Sequence, residues 1–170
     1  MFNRHSVTAI LTAALFSVAN ASAATTSAAK ASTAKTATAN ISAMRAAVAR
    51  GAKLFKTERF GSTRIWVPDM AFHNKPVTCE TCHTNGGTTI GITPAGEHLP
   101  SLIGSAADFP RYNPKKHTIF TLQRQLVHCI RAGLGGTAPA YDSPAMIDLE
   151  VYLISLSKRT PIGKNVPSAD

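Results

Sequence analysis

The stretch VTCETCHTNGG, residues 77–87, places Cys79, Cys82 and His83 in the order C-x-x-C-H. Two cysteines three positions apart can reach adjacent vinyl groups of a haem and become thioethers. The imidazole of the next residue then meets the iron from the same side. Two other chemistries use such a pair. Zinc would need four ligands, and the chain has no second C-x-x-C and no paired-histidine motif to complete the set. A redox dithiol belongs beside a β-α-β pattern, which the sequence lacks. The motif therefore points to haem c held covalently by Cys79 and Cys82, with His83 as the proximal iron ligand. It occurs once, so one haem is expected.

The start of the chain bears on where this chemistry happens. MFNRH supplies a charged beginning, SVTAILTAALFSVA an apolar run, and ANASA small residues suited to cleavage. Residues 1–23 read as a secretory signal peptide, too short in its apolar run for a transmembrane helix. A periplasmic or otherwise exported chain without an integral membrane span is expected. With Cys79 and Cys82 in thioethers, the third cysteine, Cys129, is left alone in an oxidising compartment. The formal net charge is +9. The basic residues are scattered rather than striped, and an exported protein has no nucleic acid to meet. The charge fits either a plain solvated surface or steering toward an acidic redox partner.

Residues 24–40, ATTSAAKASTAKTATAN, read as a low-complexity flexible linker whose alanine content allows transient helix. The main domain is expected over residues 41–163, with 164–170 as a C-terminal tail. ISAMRAAVARGAKLFK sets Ile41, Met44, Val48 and Phe55 along one helical stripe. Gly51 within it costs helix stability compared with alanine, a cost that signals close packing against another element. HTIFTLQRQLVHCIRAG predicts a helix that starts near Thr118 or Thr121 and stops at Gly133. SPAMIDLEVYLISLS predicts another, with Ser143 as N-cap and Pro144 at the first helical position. Its apolar residues run nearly all round, as in a mostly buried helix, and Lys158 and Arg159 close it against the dipole. Residues 84–117 are rich in Gly, Pro, Asn and Thr. So long an irregular stretch suits a compact domain when a haem provides the apolar core it wraps. The expected fold class is all-α, one helical domain around one covalent haem.

Several side chains are candidates for the other face of the iron. Met146 is a suitable ligand type but sits inside the last helix, where it reads as core. Met70 precedes the haem motif. His128 and Cys129 are neighbours, so one helix cannot aim both at the iron. Leu122, Leu126, Cys129 and Ile130 share an apolar face, while His128 falls with Thr121, Arg124 and Gln125 on the polar side. Cys129 is then either a small buried hydrophobe or an iron-bound thiolate.

LPSLIG, residues 99–104, has the form P-x-L-x-G, and ARGAKLF and LEVYLISLS stand at the two ends of the domain. In these features the chain resembles class I c-type cytochromes. The resemblance implies a cytochrome c-like fold in which the Pro100 carbonyl accepts the His83 ring N–H and the outer helices cross at Gly51 facing Tyr152. Phe55 and Cys79 lie 24 positions apart, longer than that pattern, so residues 56–78 read as an insertion. DFPRY, TLQRQLVHCIRAGLGG and SPAMIDLEVYLISLSKRTPIG resemble the haem domain of thiosulfate dehydrogenases and the SoxA cytochrome, a likeness covering most of residues 77–163. That likeness implies Cys129, 46 positions after His83, as the distal iron ligand, with Met146 as the alternative. Two features depart from it. Gln125 stands where the family has arginine, four residues before the cysteine, and AGLGG (132–136) replaces a segment resembling R-S-M-N-G. Arg124 and Arg131 are the candidates to replace those arginines, which would hold a sulfur oxyanion by charge-assisted bonds.

Two functions follow as expectations. The first is a periplasmic monohaem c-type cytochrome in electron transfer, with His/Cys ligation and a redox partner such as another cytochrome or an oxidoreductase subunit. The alternative is a haem-thiolate enzyme, or enzyme subunit, of thiosulfate oxidation with Cys129 as both ligand and catalytic residue. The altered arginine pattern and single haem motif favour the carrier.

Overall fold

Gly51 sets how closely two helices approach. These are α1 (Ala19–Thr57) and α4 (Pro144–Leu156). A Cβ on Gly51 would run into the Asp148 carbonyl and lie 2.7 Å from the Tyr152 Cβ, so the helices touch backbone to backbone there. The crossing expected at Gly51 and Tyr152 is present. One residue earlier, Arg50 reaches over the contact with its planar fork. Its Nε meets Asp148 Oδ2 at 2.7 Å and its Nη2 meets Oδ1 at 2.8 Å. The carboxylate is buried and the guanidinium mostly exposed, so Arg50 satisfies Asp148 from the solvent side. One turn beyond Gly51, the Phe55 ring packs on Tyr152 at 5.4 Å between centroids. Ala47, Gly51 and Phe55, four residues apart, form the packed stripe of α1. Ile41 and Met44, expected on that stripe, are each 54 % exposed. Burial begins only where α4 covers the helix.

The computed structural model describes residues 19–66, 75–93 and 95–161. Met70 and the tail at 164–170 lie outside them, as does most of the expected signal peptide. The chain divides into two units, residues 1–41 and 42–170. In the first, residues 24–40, expected as a flexible linker, form part of α1, and Thr36 and Thr38 hydroxyls donate to the carbonyls of Ser32 and Ala34. Alanine's high helix propensity accounts for helix where the side chains of residues 32–40 are exposed.

Helix is the commoner regular element among the second unit's described residues, but strands accompany it, so the all-α expectation holds only in part. Among the described residues three short antiparallel pairs occur: β1 (Ile65–Trp66) with β2 (Lys75–Pro76), β3 (Gly91–Ile92) with β4 (His98–Leu99), and β5 (Arg111–Asn113) with β6 (Thr118–Phe120). Strands of two or three residues leave too little alternation to read in the sequence. Between β2 and β3 lies the single turn α2 (Cys79–Cys82), and β6 leads into α3 (Leu122–His128). Thr121 caps α3 by accepting from the Arg124 N–H, so the helix starts there, and Thr118 pairs with Asn113 in the β5–β6 ladder. Ser143 caps α4 by accepting from the Met146 N–H, with Pro144 in the first turn as expected. One face of α4 (Met146, Leu149, Tyr152 and Leu153) is buried, whereas Ile147 and Ile154 are about two-fifths exposed. Lys158 and Arg159 fall beyond its last turn.

The crossing yields a signed prediction. Gly51→Ala gains up to about 1 kcal/mol of helix propensity but overpacks against backbone, at a cost of roughly 1–3 kcal/mol. Thermal unfolding of the variant should show a lower Tm. Gly133→Ala, where a Cβ meets nothing within 4 Å, should leave Tm nearly unchanged. Equal melting of both variants would contradict the close crossing.

Candidate functional site

The turn that carries Cys79, Cys82 and His83 is tied down at both ends. At its start the Thr81 hydroxyl accepts from the Thr78 N–H at 2.9 Å, closing a capping box around α2. At its end the His83 N–H donates to the Cys79 carbonyl at 2.9 Å. The Glu80 carboxylate accepts the Gly86 N–H at 2.7 Å, and the Tyr152 hydroxyl of α4 donates to the Gly86 carbonyl at 2.7 Å. β3 approaches from outside so closely that a Cβ at Gly91 would collide with the Cys82 carbonyl. Phe55 packs against the His83 ring at 6.3 Å between centroids. The helix crossing thus continues, through Phe55 and Tyr152, into the position of His83.

Cys79, His83 and Cys129 line one cavity of about 530 Å³. Phe55, Leu102, Phe109, Leu122, Leu126 and Leu153 give it an apolar wall. Its size falls within the range of cofactor sites. Cys82 stands outside the lining, partly buried against the core. Pro100 lines the cavity too, but the hydrogen bond expected between its carbonyl and the His83 ring is not made. His83 Nδ1 is buried with no partner. Nδ1 has almost no accessible surface and does not open to the cavity, so Nε2 is the ring nitrogen left to meet a ligand there. The residues fit a haem in two respects: two thiols and the following imidazole on one turn, and a third sulfur supplied by another element. Zinc fits poorly. Among the described residues no group of three or more His, Cys, Asp or Glu side chains could hold a metal ion.

Electrostatics join the three sulfurs. Burial pushes the Cys79 thiol up to about 12, reinforced by Cys129 and Cys82. Burial likewise raises Cys82, with Cys129 adding to it. Cys129 is raised by burial, opposed by a hydrogen bond from Gln125 and by the charge of Arg111. Counted by surface area Cys129 is exposed. The two descriptions agree once its thiol is seen to face the concave cavity rather than open solvent. Burial lowers His83 below its ordinary 6.5, favouring the neutral imidazole that can bind a metal.

The segment after α3 positions Cys129. Residues Cys129–Leu134 form a π-helical turn rather than an α-helix ending at Gly133. Such wide turns frequently mark functional sites. Its carbonyls are met by Ser62 and Arg64, from the segment between α1 and β1. Arg64 Nη1 donates to Ala132 O at 3.1 Å and to Gly133 O at 2.9 Å, and the Ser62 hydroxyl donates to Leu134 O. The Thr137 N–H returns to the Phe60 carbonyl at 2.7 Å. The insertion therefore braces the cysteine-bearing segment.

The other sequence candidates separate from the cavity. Met146 is fully buried in the core and absent from the lining. His128 is exposed, edge-on to Phe120. Arg124, a candidate for the altered arginine pattern, stacks on Phe120 at 4.9 Å and donates to Thr118 and Ile119. Arg131 is exposed and also outside the lining. Sequence reasoning missed Arg111, which does line the cavity and donates to Gln125 Oε1 at 3.4 Å. It lies in the DFPRY stretch. What brings it to α3 is the β5–β6 hairpin, which has no signature in the sequence.

The brace is testable. Arg64→Ala removes two partly solvated hydrogen bonds, worth about 1 kcal/mol or less in total stability. Amide exchange over residues 129–136 should quicken while α4 keeps its protection. Unchanged exchange in that segment would contradict the bracing role.

Comparison with known proteins places the chain. Residues 65–162 match the SoxA/TsdA cytochrome c domain. Over 116 residues the chain is 28 % identical to thiosulfate dehydrogenase of Allochromatium vinosum, a match covering 68 % of this chain and 41 % of that protein. It thus spans about two fifths of that relative's length. A solved structure of thiosulfate dehydrogenase (TsdBA) from Marichromatium purpuratum, in its "as isolated" form, is similar with a TM-score of 0.50 at 18 % identity. That match covers 74 % of this chain and 25 % of the other, and is a likeness of fold. With more than half its length in the match, the chain belongs to the SoxA/TsdA cytochrome c domain family, and a cytochrome c domain implies covalently bound haem c.

Proposed function

We propose that this protein is an exported, periplasmic monohaem c-type cytochrome that transfers electrons with His/Cys axial ligation. Cys79 and Cys82 hold the haem by thioethers, His83 is the proximal ligand and Cys129 the distal one. The observation that carries this reading is the convergence of Cys79, His83 and Cys129 on one apolar cavity. Met146, the alternative ligand, is disfavoured by its place in the core. When bound, the haem supplies a one-electron iron couple. The chain's part is to keep the imidazole neutral by burial, to hold the sulfur of Cys129 at the cavity, and to exclude water with the apolar wall.

A redox partner protein is part of the proposal, either another cytochrome or an oxidoreductase subunit. Residues 1–23 act in it as a removable leader. No helix of the described residues is long and apolar enough to cross a membrane. The net positive charge would steer an acidic partner, with association that slows as salt rises.

A second reading is favoured by one specific observation, the opening of Cys129 to a cavity that also contains Arg111. An anionic sulfur compound could meet both groups there, as a thiosulfate-oxidising enzyme would require. Holoprotein incubated with thiosulfate and an artificial acceptor separates the two. The carrier reading expects no turnover together with reversible reduction by a donor cytochrome. Sustained turnover lost in Cys129→Ala would establish the enzyme.

Two spectral predictions test the ligands. Cys129→Ala should alter the low-spin ferric spectrum and change the reduction potential, whereas Met146→Leu should leave the ligand bands in place. An unchanged Cys129→Ala spectrum would show that the thiol only packs. The second concerns pH. Burial lowers the pKa of His83, so protons compete with iron for the imidazole only below its ordinary 6.5. Cys129, raised by burial, would titrate as a second ligand, so the Cys129→Ala variant is acidified, and its ferric spectrum should hold through pH 6.5 and change only below it. A midpoint at or above 6.5 in that variant would contradict a buried proximal His83.

A further inference from the structure

Gln125 and Cys129 stand four residues apart, adjacent on one face at the end of α3. Gln125 Nε2 donates to the Cys129 sulfur at 3.2 Å, and Gln125 Oε1 accepts from Arg111 Nη2 at 3.4 Å. These two contacts leave the amide one sensible orientation. Reversing it would turn an NH₂ toward the guanidinium, which has no acceptor, and an oxygen toward the sulfur. Arg111 is held in turn by stacking on the Phe109 ring at 4.8 Å. All four residues line the cavity.

We propose that Gln125, oriented by Arg111, is a positioning donor that tunes the Cys129 sulfur and raises the reduction potential of the haem. The inference rests on Cys129 being an iron ligand. A thiolate ligand pushes electron density onto iron and favours the ferric state. A hydrogen bond to that sulfur withdraws part of the density, and a cation behind the amide polarises it and strengthens the bond. Separating donor from charge also matters. A neutral amide touches the sulfur while the guanidinium stays one residue removed, so the ligand is moderated without an ion pair at the iron. Arg111 acts through Gln125.

The test uses haem-loaded wild-type protein, Gln125→Leu, Arg111→Gln, the double variant and Cys129→Ala, with ferric spectra and potentiometric titration as readouts. Gln125→Leu should keep the wild-type ligand bands and shift the ferric–ferrous equilibrium roughly tenfold toward ferric, as expected for one hydrogen bond to a charged group. Arg111→Gln should shift it the same way by less. The double variant should fall short of the sum, because the cation works through the amide. Should Gln125→Leu fail to load haem, Arg111→Gln, altered on a surface hairpin, reads the same effect through its own potential. A potential unshifted in both single variants, or strictly additive shifts, would overturn the tuning role. A Cys129→Ala spectrum identical to wild type would overturn the ligand assignment and this inference with it. An altered Cys129→Ala spectrum beside an unshifted Gln125→Leu would overturn the inference alone.

Discussion

The backbone contact between α1 and α4 at Gly51 is the constraint on which the site depends. It brings Tyr152 close enough for its hydroxyl to hold the Gly86 carbonyl, and it lets Phe55 pack against both Tyr152 and His83. A side chain at position 51 would push the helices apart by prising at the Asp148 carbonyl, and the turn bearing the cysteines would lose its anchor. The Arg50–Asp148 fork matters for the same reason. A carboxylate buried beside that contact needs a partner, and the exposed guanidinium supplies one without filling the space between the helices.

A second brace comes from the segment ahead of the cysteine motif. Ser62 and Arg64 meet the carbonyls of the π-helical turn that begins at Cys129. Phe55 and Leu153 of the outer helices line the cavity itself, while Ser62 and Arg64 reach only the segment that follows Cys129. The hairpin delivers Arg111 to Gln125. Cys79 and Cys129 share the cavity with an imidazole that prefers to be neutral, and Cys129 adds to the raised proton affinity that burial gives Cys79. Such a site suits a bound metal macrocycle better than solvent.

Much of this was legible in the sequence, and the reasons differ residue by residue. C-x-x-C-H is readable because thioether chemistry fixes both spacing and order. Ser143–Pro144 is readable because capping is local, and Gly51 because glycine inside a helix is costly unless something lies against it. The outer part of the α1 stripe failed because periodicity says which residues share a face, not where a partner stops covering it. Ile41 and Met44 are exposed for that reason. Residues 24–40 read two ways, because a low-complexity composition suits a tether and alanine's propensity allows helix. The three short ladders, the π-helical turn and Arg111 were not legible because each depends on contacts made by distant segments. The choice of Arg124 and Arg131 went astray for the same cause. Closeness to Cys129 in the chain does not bring a side chain into the cavity, and the hairpin does.

Mass spectrometry of the exported protein tests the central claim most directly. After denaturation and digestion, the peptide containing Cys79, Cys82 and His83 should be heavier by one haem, with both thiols resistant to alkylation and Cys129 free to react. A peptide of unmodified mass, with Cys79 and Cys82 both alkylated, would contradict the account.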